Sequence, residues 1–200
     1  MVDIVRTSRG LDAQAVLDGY RRGEFPMGYP GRRLITWHHP AVRAILPLDA
    51  LHISRSLQRK LRAGAFRISF DEDFSAVMTN CANRPSTWIT PEIFRVYLQL
   101  HHLGHAHSVE VWVDGRLAGG IYGVHIGEAF FAESMFHTVT DMSKVALVKL
   151  VQRLLEQRFR LLEVQYLTSH LSQFGVIEIP DEEYRPLLVE AVSAAGEFVL

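Results

Sequence analysis

The stretch SVEVWVDGRLAGGIYGVHIGEAFFAESM, residues 108–135, decides the fold class. Ser108 to Val113 alternates apolar and polar side chains, the period of a strand with one buried face. Asp114-Gly115 follows, a pair that tolerates the positive φ of a tight hairpin turn. Two more strands are predicted, Leu117 to His125 and Ala129 to Met135. Then the period changes. From Ser143 to Arg158 the spacing predicts a long amphipathic helix, with Val145, Leu147, Val148, Val151, Leu154 and Leu155 on its inner side. Leu161 to Tyr166 returns to strand alternation. Hairpin strands, a long helix and a further strand make an α+β or mixed α/β layout, of which α+β is the class expected.

Upstream, Thr90-Pro91 is a clear helix start, an N-cap followed by proline at the first helical position, and that helix runs to Leu103 before Gly104. Ser54 caps another helix to Ala63, closed by Gly64, and Phe66 to Phe70 and Asp73 to Cys81 read as strand and helix. Nearer the start, Leu11 to Arg22 reads as a helix stopped by Gly23, followed by a Pro/Gly-rich connection from Phe25 to Gly31. Two short strands, Leu34 to Trp37 and Ala41 to Leu46, precede a boundary near Leu51. The division expected is a small N-terminal domain, 1–50, and a larger domain, 51–200. After the Leu161 strand come another at Val176 to Ile179 and a helical segment, Asp181 to Ala195, expected in two pieces because Pro186 interrupts it.

With 200 residues, 48% of them hydrophobic and 22% charged, the chain has material for a sizeable core and lacks the bias of a disordered protein. Cys81 is the single cysteine, which excludes an internal disulfide. MVDIVRTSRG at the start carries charge where a signal peptide needs an apolar run, and no window approaches a membrane span. A cytoplasmic protein is expected. Ten histidines, clustered in His101-His102-Leu103-Gly104-His105-Ala106-His107, come without a cysteine partner or an HExxH helix, so no metal site is expected.

The net charge of −1 conceals a division: residues 1–67 hold 12 Lys or Arg against 5 Asp or Glu (12 − 5 = +7), and the remainder 9 against 17 (9 − 17 = −8). Arg55, Arg59, Lys60 and Arg62 lie in an acid-free run between Asp49 and Asp71, and positions 55, 59 and 62 share one helix face. Such a face suits a phosphate backbone, or simply water. Glu163 and Gln165 share a strand face opposite Leu162, Val164 and Tyr166, and need either internal partners or a ligand. Trp37, Trp88 and Tyr97 are candidates for base stacking or for the core, and spacing does not choose.

The order of elements resembles the acyltransferase fold of the GNAT superfamily. GNAT enzymes that use acetyl-coenzyme A carry a glycine-rich pyrophosphate loop after their fourth strand. The corresponding stretch here, Phe136 to Met142, has no glycine, which argues against a coenzyme A donor.

An ordered series of motifs goes further: Tyr20-Arg21-Arg22-Gly23-Glu24-Phe25-Pro26, His52-Ile53-Ser54-Arg55-Ser56, Thr87-Trp88-Ile89-Thr90, Leu103 to Trp112, Gly119 to Val124, Glu133-Ser134-Met135-Phe136, Ser143-Lys144 with Ala146-Leu147, and Gln165 with His170-Leu171. Together, from about Asp12 to Pro180, they resemble the leucyl/phenylalanyl-tRNA–protein transferases. The resemblance implies a GNAT-like catalytic domain behind a small N-terminal domain, and no cofactor. It implies transfer of leucine or phenylalanine, and to a lesser extent methionine, from tRNA to proteins beginning with Arg or Lys, which marks them for N-end rule degradation. A monomer is expected.

Carried over by alignment, Gln165 and Glu163 fall on the family's catalytic pair. Trp88, Tyr97, Glu133, Ser134 and Met135 fall on aminoacyl-adenosine positions, and Ile121, Phe130, Leu150 and Leu154 on the apolar donor pocket. Arg55, Arg59, Lys60 and Arg62 are the tRNA-binding candidates. This chain departs from the family in having Glu163 for the usual aspartate, Trp37-His38 for paired tryptophans, Thr168 for an asparagine, and Leu150 and Leu154 where phenylalanine is common. The residues alone also leave room for a GNAT acetyltransferase, a non-catalytic tRNA-binding module, or a leucyltransferase that prefers acidic N-termini.

Overall fold

A hydrogen bond from the Ala15 amide to the Asp12 carboxylate (2.8 Å) starts the first helix, α1 (Ala13–Arg21), and Gly23 at φ 76° follows its end. The computed structural model describes residues 3–199. Beside α1, β1 (Ile4–Ser8), β2 (Phe25–Gly28) and β3 (Ile35–His38) form an antiparallel sheet in the order β1-β3-β2. The sequence reading has no strand at β1 and only a connection at β2. Pro26 is tolerated there because β2 lies at the sheet's edge, where a missing amide interrupts no inner ladder.

A seven-stranded sheet follows. Its strands are β4 (Val42–Ile45), β5 (Arg67–Phe70), β6 (Ala106–Val113), β7 (Arg116–Ile126), β8 (Ala129–His137), β9 (Leu161–Gln165) and β10 (Ile177–Pro180). They lie in the order β10-β4-β9-β8-β7-β6-β5. β4 thus already belongs to the larger sheet, and the small sheet closes at His38. Asp114 (φ 49°) and Gly115 (φ 72°) both take positive φ in the β6–β7 turn, as a type I′ hairpin needs. Every pairing in the large sheet is antiparallel except β8 with β9, and that parallel pair is in register only from Ala129–Leu161 to Phe131–Glu163.

The helices are α2 (Arg55–Ala63), α3 (Phe74–Ala82), α4 (Pro91–His102), α5 (Met142–Glu156), the short α6 (Ser169–Ser172) and α7 (Asp181–Ser193). One face of the large sheet packs on α1, α3, α4 and α7, with Tyr20, Tyr97, Tyr122 and Phe131 in the core between. The other face packs on α5 and α2 through Ile121, Phe130, Val145, Val148 and Leu57. The α+β class expected from the order of elements is the one found. No helix among the described residues is long and apolar enough to cross a membrane.

Two expectations need correction. α7 is one continuous helix, not two pieces. Pro186 and Glu182, whose carbonyl it leaves without an amide, are both exposed, so water takes the place of the lost bond while Tyr184, Leu188 and Ala191 anchor the helix inside. Leu155 is also not on the inner face of α5. It is 47% exposed, because the helix turns it about 100° from Leu154, which is fully buried.

That difference is measurable. Leu147, fully buried on the same helix, should cost about 2–5 kcal/mol when cut to alanine, whereas Leu155→Ala should stay within about 0.5 kcal/mol of wild type. Urea unfolding of both variants checks it.

Candidate active site

β8 and β9 pair for only three positions and then diverge, so a gap opens at the carboxyl ends of the one parallel pair in the sheet. Glu133 and Gln165 each stand two residues beyond the last paired position, Phe131–Glu163. Both side chains lie on the α1/α4 side, Glu133 at a bulge in the pairing of β8 with β7. Gln165 adopts φ 65°, a left-handed conformation unusual for a residue with a side chain, where β9 ends against a bulge in its pairing with β4. Its amide nitrogen donates to Glu133 Oε1 at 3.1 Å.

Two phenols complete the cluster. The Tyr20 hydroxyl from α1 donates to Glu133 Oε1, the Tyr97 hydroxyl from α4 donates to Oε2 at 3.3 Å, and the two hydroxyls lie 2.8 Å apart. Burial raises the Glu133 carboxyl from its ordinary value of 4.5 to about 8; the nearby Glu163 adds to the rise, while hydrogen bonds from Tyr20, Gln165 and Tyr97 oppose it. Both tyrosines, fully buried beside that carboxyl, have their pKa values pushed well above the ordinary phenol. Glu133 is therefore a carboxyl that exchanges its proton near neutral pH, the property expected of a group doing acid–base work.

Over this cluster lies a cleft of about 290 Å³, walled by Met27, Trp88, Ile121, Met135, Val164 and Leu171 with Arg84, Ser134 and His170 at polar points. Trp88 leans edge-on against Tyr97, ring centroids 6.5 Å apart. Ser134 accepts a hydrogen bond from Arg84 at 2.8 Å.

The cleft thus gathers Gln165, Glu133, Ser134, Met135, Trp88 and Ile121 from the residues singled out in the sequence, with Tyr97 directly behind Glu133. The other three apolar candidates, Phe130, Leu150 and Leu154, lie deeper, in the core between the sheet and α5. Glu163 points to the same side of the sheet as Gln165 but meets other partners. The Arg43 guanidinium donates to it through Nη2 and, at 3.0 Å, Nε, and the Tyr184 hydroxyl donates to its second oxygen. Arg43 and Glu163 are each about 1% exposed. Gln165 therefore bonds across the strand gap, not back along its own strand.

Arg55, Arg59 and Arg62 are exposed on α2 without acidic partners among the described residues. Lys60 differs, reaching Asp141 Oδ2 at 2.8 Å and the Thr140 carbonyl at 3.0 Å. Trp37 is core, about 1% exposed, beneath the Arg6 guanidinium at 3.6 Å. Of the clustered histidines, two are tied internally: His107 Nδ1 lies 2.6 Å from Asp71, its Nε2 lies 2.9 Å from His125, and His101 stacks on Phe74.

Sequence reasoning gave no role to Tyr20, Arg43, Arg84 or Tyr184. Tyr20 is 113 positions from Glu133 and Arg43 is 120 from Glu163, so no local period links them. Tyr20 did carry one signal, its place in the Tyr20–Pro26 motif.

The family profile described as leucyl/phenylalanyl-tRNA protein transferase matches residues 45–189. A leucyl/phenylalanyl-tRNA–protein transferase of Ruegeria pomeroyi is 49% identical over 189 residues, covering 94% of this chain and 90% of the relative. Those of Salinibacter ruber and Herpetosiphon aurantiacus are both 46% identical, covering 94% and 96% of this chain and 83% and 100% of the relatives. Among solved structures, a ribosomal-protein-alanine N-acetyltransferase from Brucella melitensis biovar Abortus aligns at TM-score 0.41 and 14% identity over 55% of this chain and 85% of its own. L-PGS from Bacillus licheniformis aligns at 0.44 and 11% over 83% and 57%.

The raised Glu133 carboxyl makes stability depend on pH. Between 4.5 and about 8 the folded chain keeps a proton that the unfolded chain has released. The stability linked to this group is full below the ordinary carboxyl range and is lost as pH climbs toward about 8. Glu133→Gln cannot titrate, so wild type should lose melting temperature relative to this variant between about pH 5 and about pH 8.5, at about 2–4 °C per kcal/mol. Parallel melts of the two proteins across that range test it.

Proposed function

The chain belongs to the leucyl/phenylalanyl-tRNA–protein transferase family, and from that premise we propose how its cleft carries out the transfer. The donor is leucine or phenylalanine, with methionine less favoured, esterified to the terminal adenosine of tRNA. The acceptor is the α-amino group of a protein beginning with Arg or Lys, and the product is marked for N-end rule degradation in the cytoplasm. The enzyme acts as a monomer.

The observation that carries this reading is the Gln165–Glu133–Tyr20–Tyr97 network at the floor of the cleft. The acceptor nitrogen attacks the ester carbonyl, a C–N bond forms, the C–O bond to the ribose breaks, and one proton passes from nitrogen to the departing ribose oxygen. Free α-amines have pKa values near ~7.7–8.0, so a useful fraction is already nucleophilic at neutral pH. The remaining demands are orientation and a path for that proton. Gln165 orients the reacting amine through its amide. Glu133, balanced near neutrality, relays the proton. Glu163 acts as a positioning residue: paired with Arg43, it fixes the strand that carries Gln165.

Trp88 offers its ring to the terminal adenosine, with Ser134 and Met135 along the same wall. Ile121 is the point where the donor side chain meets the apolar layer of Phe130, Leu150 and Leu154. A hydrophobic pocket separates side chains that differ by a methylene by only about 1–3 kcal/mol, which fits a donor set of several apolar residues. Arg55, Arg59 and Arg62 hold tRNA phosphates on the other face of the sheet.

Charged leucyl-tRNA mixed with reporters beginning Arg, Asp or Ala tests donor and acceptor together. Transfer to the Arg reporter alone is expected, and efficient transfer to Asp would overturn the acceptor assignment. In single-turnover assays Gln165→Ala should lower the transfer rate by less than about 2.7–4 kcal/mol, the loss seen when an oxyanion-stabilising donor is removed, with tRNA affinity little changed. A destabilised Gln165→Ala enzyme that transfers at full rate would remove Gln165 from the mechanism.

A further inference from the structure

Of the twelve basic residues before position 68, six have acidic partners: Arg6 and Arg22 with Glu24, Arg21 with Asp18, Arg43 with Glu163, Lys60 with Asp141 and Arg67 with Glu72. The six without one among the described residues fall into two trios. Arg55, Arg59 and Arg62 lie on α2. Arg9, Arg32 and Arg33 converge, with Arg95 of α4, around a separate cavity of about 680 Å³ between the small sheet and the start of α4. All four of these arginines are exposed. The one acid in its wall, Glu92, already accepts the Leu11 amide at 3.1 Å.

This basic cavity adjoins the active-site cleft. The chain segments 27–30 and 87–91 run along both, joined by a hydrogen bond from the Gly28 amide to the Trp88 carbonyl (3.1 Å). Met27 and Trp88 face the cleft, while Tyr29, Pro30 and the residues flanking Trp88 face the cavity. Tyr29 is exposed, an aromatic surface beside the arginines. The α4 amino terminus, capped by Thr90, adds positive dipole to the same wall.

We propose that this cavity binds the RNA strand leading into the cleft, its arginines holding the phosphates just upstream of the terminal adenosine and Tyr29 stacking on a base. The inference rests on the donor assignment above and extends it to a second surface. A polyanion with unpaired bases fits a cluster of arginines without acidic partners among the described residues, beside an exposed aromatic ring. An acceptor beginning with Arg or Lys would be repelled by it. The α2 arginines serve the opposite face of the sheet, so the two trios grip different parts of one ligand.

The test compares wild type with Arg32→Glu/Arg33→Glu and with the charge-keeping Arg32→Lys/Arg33→Lys. Affinity for uncharged tRNA is measured across a salt series, and transfer is measured from leucyl-tRNA and from leucyl-adenosine. The Glu pair should weaken tRNA binding and flatten the log–log salt slope by about two, roughly one per lost phosphate contact, while the Lys pair stays near wild type. The KM for leucyl-tRNA should rise in the Glu pair and transfer from leucyl-adenosine should be unchanged. An unaltered slope and KM in the Glu pair would overturn the inference while leaving the transferase reading intact. So would an equal loss with leucyl-adenosine, or a change confined to the KM of the acceptor. Failure of wild type itself to transfer from leucyl-tRNA would strike the transferase reading; the binding series still decides whether these arginines hold RNA.

Discussion

Arg43 and Glu163 meet across adjacent strands in a place where neither touches water, and much of the molecule is arranged around keeping them together. A buried charge without a partner is strongly destabilising, so each residue obliges the fold to hold the other. Distant elements supply further partners to both. Arg43 Nη1 donates to the carbonyl of Gly23 just past α1, and its guanidinium lies 4.4 Å from the Tyr184 ring centre, while the Tyr184 hydroxyl from α7 donates to Glu163. One ion pair therefore ties the end of α1, the two strands β4 and β9, and the C-terminal helix. It stands two residues before Gln165, so its rigidity passes directly to the site.

The site itself follows from how little β8 and β9 are paired. Had the parallel ladder continued past Phe131 and Glu163, the space above Glu133 would be closed by backbone. Divergence opens the cleft, yet leaves Glu133 buried at its floor among tyrosines. That combination sets the chemistry: low polarity around the carboxyl raises its pKa to about 8, and the phenols and the Gln165 amide hold its oxygens in place without supplying a positive charge that would pull the value down again. The left-handed Gln165 backbone turns that amide across the gap, a local cost accepted at the point where the strand has already ended.

The charge division seen in the sequence also takes a different meaning in three dimensions. An excess of seven positive charges before position 68 suggests a polyanion partner for that part of the chain. Six of the twelve cations there are consumed in ion pairs, one of them wholly buried, and the other six separate into a trio on α2 and a trio beside the start of α4. Summed charge along a chain measures what is available to a partner only after internal pairing is subtracted.

The class of fold, the β6–β7 hairpin, the caps of α2 and α4 and the buried stripe of α5 were legible because each depends on residues within a few positions of one another: a period of two or 3.6, an Asp-Gly turn, a threonine before a proline. The ordered motifs carried the family. Three kinds of feature were not legible. β1 and β2 are strands because β3 lies beside them, and α7 runs through Pro186 because Tyr184, Leu188 and Ala191 are buried and the freed carbonyl is in water. Glu163 and Gln165 share a face as their spacing requires, but the partner each meets, Arg43 for Glu163 and Glu133 for Gln165, lies 120 and 32 positions away. A contact between residues so far apart has no periodic trace in the chain; only the closing of the sheet brings them within hydrogen-bonding distance and sets the burial on which the Glu133 proton depends.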